Sequence, residues 1–204
     1  MAMISVEHVS LTIGTAQILR DVSARFEEGE IHGIVGRNGS GKTMLMKCIC
    51  GFIRPDSGKI LVDGKQVGRD VDFPPDLGLL IETPGFVPYY SGLKNLELLA
   101  AINRRASKER LNACMEQIGL GDAKNKRVSK YSMGMRQRLG IAQAIMEDPR
   151  LLILDEPLNG LDEQGVEDIR ALLLELKSQG NTILLSSHNR EDIDLLCDSV
   201  CKME

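Results

Sequence analysis

Gly36-Arg37-Asn38-Gly39-Ser40-Gly41-Lys42-Thr43 is the stretch whose reading decides the fold. It fits the phosphate-loop pattern G-x-x-x-x-G-K-[ST]. Ile31-His32-Gly33-Ile34-Val35 precedes it as a short buried strand, and Met44-Leu45-Met46-Lys47-Cys48-Ile49 follows as the start of a helix. Strand, glycine loop and helix form the context that turns the pattern into a site. The glycines let the backbone wrap a phosphate with its N–H groups pointing inward. The helix start adds unsatisfied donors and the positive end of its dipole. Lys42 can reach the β- and γ-phosphates, and the Thr43 hydroxyl can ligate Mg²⁺.

Two further stretches carry chemistry. Leu151-Leu152-Ile153-Leu154 runs directly into Asp155-Glu156-Pro157. A continuous apolar run of this length reads as a parallel strand buried on both faces, which delivers its C-terminal end to the ligand crevice. Asp155 is then placed to hold Mg²⁺ beside Thr43, and Glu156 to polarise an attacking water, two roles that hydrolysis keeps separate. Tyr131-Ser132-Met133-Gly134-Met135 precedes a helix running to about Met146. Ser132 reads either as a plain N-cap or as part of a second anion-binding helix start.

The remaining chain supports one α/β domain. Its 204 residues suffice for a domain with an insertion, with no need of disulfides. Residues 3–11 alternate apolar and polar, and 18–26 and 59–62 supply more strand, so an antiparallel sheet accompanies the phosphate-loop unit. Residues 77–81 and 182–186 read as buried strands and 166–177 as an amphipathic helix. Between about 83 and 146 the apolar spacing turns helical, which marks an inserted helical part. Pro84–Gly92 carries Phe86, Tyr89 and Tyr90 and reads either as a docking surface or as a loop packed onto that insertion. The five cysteines lack zinc-finger spacing and read as reduced thiols of an intracellular protein. A net charge of -4 argues against a nucleic-acid footprint, which would normally be basic. The basic groups around Arg104–Arg110 and Lys124–Lys130 read as solvated faces. No secretion signal and no apolar run near ~20 residues is seen, so any work at a membrane needs another chain for the membrane part.

These motifs, in this order, resemble the nucleotide-binding subunit of an ATP-binding-cassette (ABC) transporter. Such proteins carry a phosphate loop, a glutamine loop, a Leu-Ser-Gly-Gly-Gln signature, an acidic strand end, a D-loop and a switch histidine. Here Tyr131–Met135 resembles the signature, Asn159-Gly160-Leu161-Asp162 the D-loop and Ser187-His188 the switch. The resemblance covers nearly the whole chain. It implies a P-loop NTPase (RecA-like) core, residues 1–82 and 147–204, with an N-terminal antiparallel β subdomain and a helical signature subdomain inserted at 83–146. It further implies ATP and Mg²⁺ as ligands and a head-to-tail homodimer or paired cassette. Ser132 and Gly134 of one copy would meet the γ-phosphate held by Gly36–Thr43 of the other. His188 would contact that phosphate and help hold Glu156.

The sequence departs from the family pattern in three places. Glu82 stands where the glutamine loop usually has Gln, and as an ionised carboxylate it can meet Mg²⁺ but cannot donate a hydrogen bond. Ile13 takes the place of the aromatic that usually stacks on adenine, which implies loose adenine preference. Met133 and Met135 stand where Gly and Gln are usual. Ile81-Glu82-Thr83-Pro84-Gly85-Phe86, followed by Ser91-Gly92 and Asn95-Leu96, resembles the subgroup that exports lantibiotics, bacitracin-like peptides and drugs. The expectation is an export ATPase on the cytoplasmic face of a membrane, coupled to a separate permease. The alternatives are a soluble ABC-type ATPase acting on DNA or the ribosome, or a nucleotide-dependent switch with little turnover. Residues 198–204 read as a strand cut short, either of a compact variant or of a truncated chain.

Overall fold

The structure, a computed structural model, describes residues 2–203. Met1, where the N-terminal reading begins, and Glu204, where the last strand reading ends, lie outside the described residues. Strands β1 (Ala2–Ile13), β2 (Ala16–Glu27), β3 (Ile31–Val35), β4 (Ser57–Val62), β5 (Lys65–Gln66), β6 (Leu77–Leu80), β7 (Leu151–Leu154), β8 (Thr182–Ser186) and β9 (Ser199–Lys202) form two sheets. Helices α1 (Lys42–Ile49), α2 (Gly92–Asn103), α3 (Lys108–Gln117), α4 (Met133–Ile145), α5 (Glu163–Ser178) and α6 (Arg190–Leu196) connect them. The antiparallel sheet has the order β2-β1-β4-β5, and the parallel sheet the order β6-β7-β8-β3-β9.

The parallel sheet is a wall between two cores. Along β7, Leu152 and Leu154 face a core built with α2 to α6, while Leu151 and Ile153 face one built with α1 and the antiparallel sheet. In β8, Ile183 and Leu185 take the first side and Leu184 the second. A strand covered on both faces has no polar side to show, so these strands read as unbroken apolar runs. By contrast β1 alternates, with Ile4, Val6 and Val9 buried under one face only.

The helices between β6 and β7 start on side-chain caps. Ser91, Ser107 and Ser132 each accept the N–H three residues on, at 3.1, 3.2 and 3.2 Å. Such a cap satisfies one of the donors that a helix start leaves open. The cysteines are free, and burial pushes Cys48 and Cys114 up to about 11 and Cys50 and Cys197 to about 12.

The last strand, β9, lies parallel to β3 at the sheet edge. Asp198 fastens it there: one carboxylate oxygen accepts the Ile31 N–H at 2.8 Å and the other accepts Lys177 Nζ at 2.5 Å. Burial works to raise this carboxyl, but Lys177 and the Ile31 N–H outweigh it and hold it below the usual carboxylate range. A carboxyl whose folded pKa is lowered stabilises the fold above its unfolded pKa, and loses that stabilisation as pH falls through the folded value. Asp198→Asn should therefore cost about 1–2 kcal/mol at pH 7. The gap between the variant and the parent should shrink below about pH 4. Urea unfolding of both proteins across this range measures it, and a gap that is constant with pH would assign the effect to packing alone.

Candidate nucleotide site

The phosphate loop springs from the end of β3 and closes into α1. Gly39 and Gly41 adopt φ of +85° and +93°, the left-handed region that favours glycine. A Cβ on Gly41 would meet Leu19 Cδ2 at 2.8 Å and the Ile18 carbonyl at 3.0 Å, so the loop is seated directly on β2. A Cβ on Gly36 would meet Ser40 Oγ at 2.4 Å and the Met203 carbonyl at 2.5 Å. Neither Gly41 nor an acidic side chain in the first turn caps α1, so its first N–H groups stay open to a ligand.

Two buried groups in this cradle are suited to an anion. Lys42 is only 7 % exposed, and its ammonium donates to the Gly36 and Arg37 carbonyls at 2.9 and 3.3 Å, with no carboxylate partner among the described residues. Ser40 Oγ is buried without a hydrogen-bond partner. A buried cation and a buried hydroxyl left in this way are costly unless a charged ligand completes them.

The acidic strand end meets the loop through side chains. Asp155 Oδ2 accepts the Thr43 hydroxyl at 2.7 Å, and Oδ1 accepts the Ser186 hydroxyl at 2.6 Å. Ser186 Oγ in turn accepts the Glu156 N–H at 2.9 Å. Glu156 sits at φ +50°, a conformation of order 1–3 kcal/mol less favourable for a residue with a side chain. Its carbonyl is gripped from α4 by Gln137 Nε2, at 2.9 Å. The carboxylate then faces the switch histidine, with Glu156 Oε2 2.8 Å from His188 Nδ1. These groups come from the C-terminal ends of β7, β8 and β3, which are adjacent in the sheet.

Other residues named from the sequence lie elsewhere. Glu82, expected near the metal, makes its ion pair with Lys47 Nζ of α1 at 2.6 Å and not with the Thr43–Asp155 pair. Ile13 is half exposed at the end of β1. A groove of about 790 Å³ borders the loop, walled by Ile18, Arg20 and Val22 of β2, by Arg37 and Asn38, and by Lys202. Ile13 is not on its wall. Ser132 and Gly134 open α4, and a Cβ on Gly134 would lie 2.9 Å from the Gly160 carbonyl of the D-loop. Glycine there serves the contact between α4 and residues 160–161 of the same chain. Arg138 links the same two segments through Asp162 Oδ1, at 3.4 Å. Within the aromatic loop Phe86 packs on the core, while Tyr89 and Tyr90 stay exposed with ring centroids 5.3 Å apart. Asn95 clamps the loop by accepting the Val87 N–H at 2.8 Å and donating to its carbonyl at 3.1 Å.

Sequence reasoning missed Ser186, Gln137 and Lys47. Ser186 had a signal, since a polar residue closing a buried apolar run has to find a partner. Gln137 and Lys47 had none, because their partners are distant in the chain.

A phosphate loop between β3 and α1, with an acidic strand end brought against it, defines a nucleotide-binding α/β protein of the phosphate-loop class. The family described as ABC transporter matches residues 19–159, and the chain belongs to that family. It is 42 % identical over 201 residues to YybJ of Bacillus subtilis (strain 168), named an uncharacterized ABC transporter ATP-binding protein, covering 98 % of this chain and 92 % of YybJ. It is 38 % identical over 200 residues to the bacitracin transport ATP-binding protein BcrA of Enterococcus faecalis, covering 97 % of this chain but 65 % of BcrA. Its fold matches the dimeric post-hydrolysis structure of the ATP-binding cassette MJ0796 bound to ADP and Pi, with a TM-score of 0.89 at 23 % identity, over 99 % of this chain and 94 % of that one.

Proposed function

We propose that this chain binds and hydrolyses ATP to drive export of a peptide or drug through a separate membrane-spanning subunit. The observation that carries the reading is the joined set Thr43–Asp155–Ser186 and Glu156–His188 at the mouth of the phosphate loop. The transport names of relatives such as BcrA support export over an action on DNA or the ribosome. No helix among the described residues is long and apolar enough to cross a membrane. On the strength of the relatives' transport names, the reading assigns passage to a partner and places this chain on the cytoplasmic face. Within it, residues 83–146 act as the inserted helical part of one domain.

Each residue has a role in this reading. Gly36, Arg37, Asn38, Gly39, Ser40 and Gly41 wrap the phosphates with backbone N–H groups, and Ser40 gains a partner for its hydroxyl. Lys42 turns its ammonium from the loop carbonyls to the phosphates. Thr43 and Asp155 set two hard oxygen donors side by side, which suits Mg²⁺. No group of three or more His, Cys, Asp or Glu able to hold a metal occurs among the described residues, but an ion arriving with a nucleotide keeps waters and phosphate oxygens and needs fewer protein ligands. Bound there, Mg²⁺ would neutralise phosphate charge. Glu156 orients the attacking water, and His188 fixes the carboxylate in place.

A second copy completes the site. Ser132 Oγ uses one acceptor position on the Met135 N–H, and its O–H remains to donate to a phosphate of the other copy. Gly134, in the first turn of the same helix, would offer its backbone N–H to that phosphate. Ile18 and Val22 offer an aliphatic wall to the base, which fits a loose adenine preference.

Co-purification of the full chain with its membrane partner tests the transport reading, and the exposed Tyr89–Tyr90 pair marks the docking surface. Replacing both with Ala should weaken recovery of the membrane subunit by about tenfold or more, as loss of an aromatic anchor does. Basal ATP turnover should hold. Unchanged recovery would move the docking surface elsewhere, and recovery with no membrane protein at all would overturn the transport assignment.

A further inference from the structure

Lys47 lies one helical turn beyond Thr43 on α1, so both side chains share one face of the helix. Thr43 points to Asp155. Lys47 points to Glu82, with Nζ 2.6 Å from Oε1. The two contacts run side by side, because Glu82 follows β6, and the carbonyl of Leu80 at the end of β6 accepts the Asp155 N–H at 2.7 Å. The Lys47 side chain is 19 % exposed, against 61 % for Glu82. The lysine is therefore the fixed member, and the glutamate comes to it.

The backbone makes the same point. Glu82 holds φ +60°, a strained value for a residue with a side chain, so something outside the local chain keeps it there. On its far side the segment is fixed as well: a Cβ on Gly140 of α4 would meet Pro84 Cγ at 2.7 Å, so the proline ring packs directly against that helix. Residues 82–84 thus span from the phosphate-loop helix to α4, with Lys47 as the anchor at the first end. The charge logic is specific to glutamate. A carboxylate beside a triphosphate site is repelled by the ligand unless a cation neutralises it, whereas a glutamine needs no such partner.

We propose that Lys47 is a positioning residue which holds the Glu82 carboxylate on α1, off the Thr43–Asp155 pair, and so keeps residues 82–84 ordered between α1 and α4. Glu82 is then a carboxylate with two competing cations, Lys47 and the ion that accompanies a nucleotide. The proposal rests on the ATP-binding reading for that second cation. The anchor itself is a property of the protein alone.

The test uses the full-length chain in five forms: parent, Lys47→Met, Lys47→Arg, Glu82→Gln and the Lys47→Met/Glu82→Gln double variant. Glu82→Gln is nearly isosteric at an exposed position and should fold in any case. Hydrogen exchange without nucleotide should rise about two- to fivefold at residues 82–87 in Lys47→Met and in Glu82→Gln, the size expected of a partly exposed pair. The double variant should show no more than either single change, and Lys47→Arg should keep the protection. In a second measurement, Lys47→Met should lower the Mg²⁺ concentration needed for half-maximal binding of a non-hydrolysable ATP analogue. The same change in the Glu82→Gln background should leave it unmoved. Unchanged exchange, or effects that simply add in the double variant, would overturn the anchor. A parent protein that binds no analogue would sink the ATP-binding reading, while the exchange result would still decide whether Lys47 holds Glu82.

Discussion

Glu156→Gln is expected to lower ATP turnover by about 10²–10⁴-fold, the contribution of a positioned general base, with ATP affinity within about twofold of the parent. The side chain keeps its size and can still meet His188, so the geometry survives while the carboxylate that polarises water is lost. The backbone at φ +50° is held by Ser186 Oγ and Gln137 Nε2, neither of which the change touches. Binding is spared because Lys42, Thr43 and Asp155 are untouched. Phosphate release and equilibrium binding of a fluorescent ATP analogue separate the two effects. Turnover equal to that of the parent would remove Glu156 from the role of base.

Lys42→Ala should act on the other half of the process. It removes the one cation buried in the phosphate cradle, and truncating a buried charged partner costs about 2–4 kcal/mol of binding. That corresponds to a dissociation constant roughly 30- to 1000-fold weaker. The fold should tolerate the change, since the bonds lost in the free protein go to the Gly36 and Arg37 carbonyls, which water can take over. An affinity within threefold of the parent would mean that the loop N–H groups bind the phosphates unaided.

The contrast between Asp155 and Glu82 shows how far the sequence could be read. Asp155 was legible because a doubly buried strand announces itself as four apolar residues, and its end in an α/β sheet points at the ligand crevice. The phosphate loop was legible because its glycines meet a backbone demand that few sequences satisfy: Gly39 and Gly41 are left-handed, and Gly36 and Gly41 press against neighbouring atoms. Residues 3–11 were legible as a strand by alternation and 18–26 as further strand of an antiparallel sheet, although both strands run one or two residues longer at each end. Glu82 could be located on its loop, but its partner could not be foreseen. Lys47 lies 35 positions earlier, and only the parallel order β6-β7-β8-β3 brings the two together. Ser186 signalled that it needed a partner but not which one, and Gln137 gave no signal. Each acts on Glu156 across the fold, and local spacing carries no trace of it. The aromatic loop was ambiguous in the sequence because one stretch serves both ends: Phe86 is a core residue and Tyr89 is not.

The central claim is that Gly36–Thr43 is half of a site, completed by Ser132 and Gly134 of a second copy. Mixing two inactive variants tests it most directly. Lys42→Ala spoils the phosphate cradle and leaves the α4 start intact, whereas Ser132→Arg obstructs the α4 start and leaves the cradle intact. In a mixed two-fold dimer, one site receives both damaged halves and the other receives both sound ones. An equimolar mixture should therefore recover up to about a quarter of the parent's turnover, since half of the dimers are mixed and each holds one intact site of two. Recovery from two proteins that are each inactive alone is the result this account predicts. A mixture as inactive as its components, under conditions in which the mixed dimer is shown to form, would contradict it.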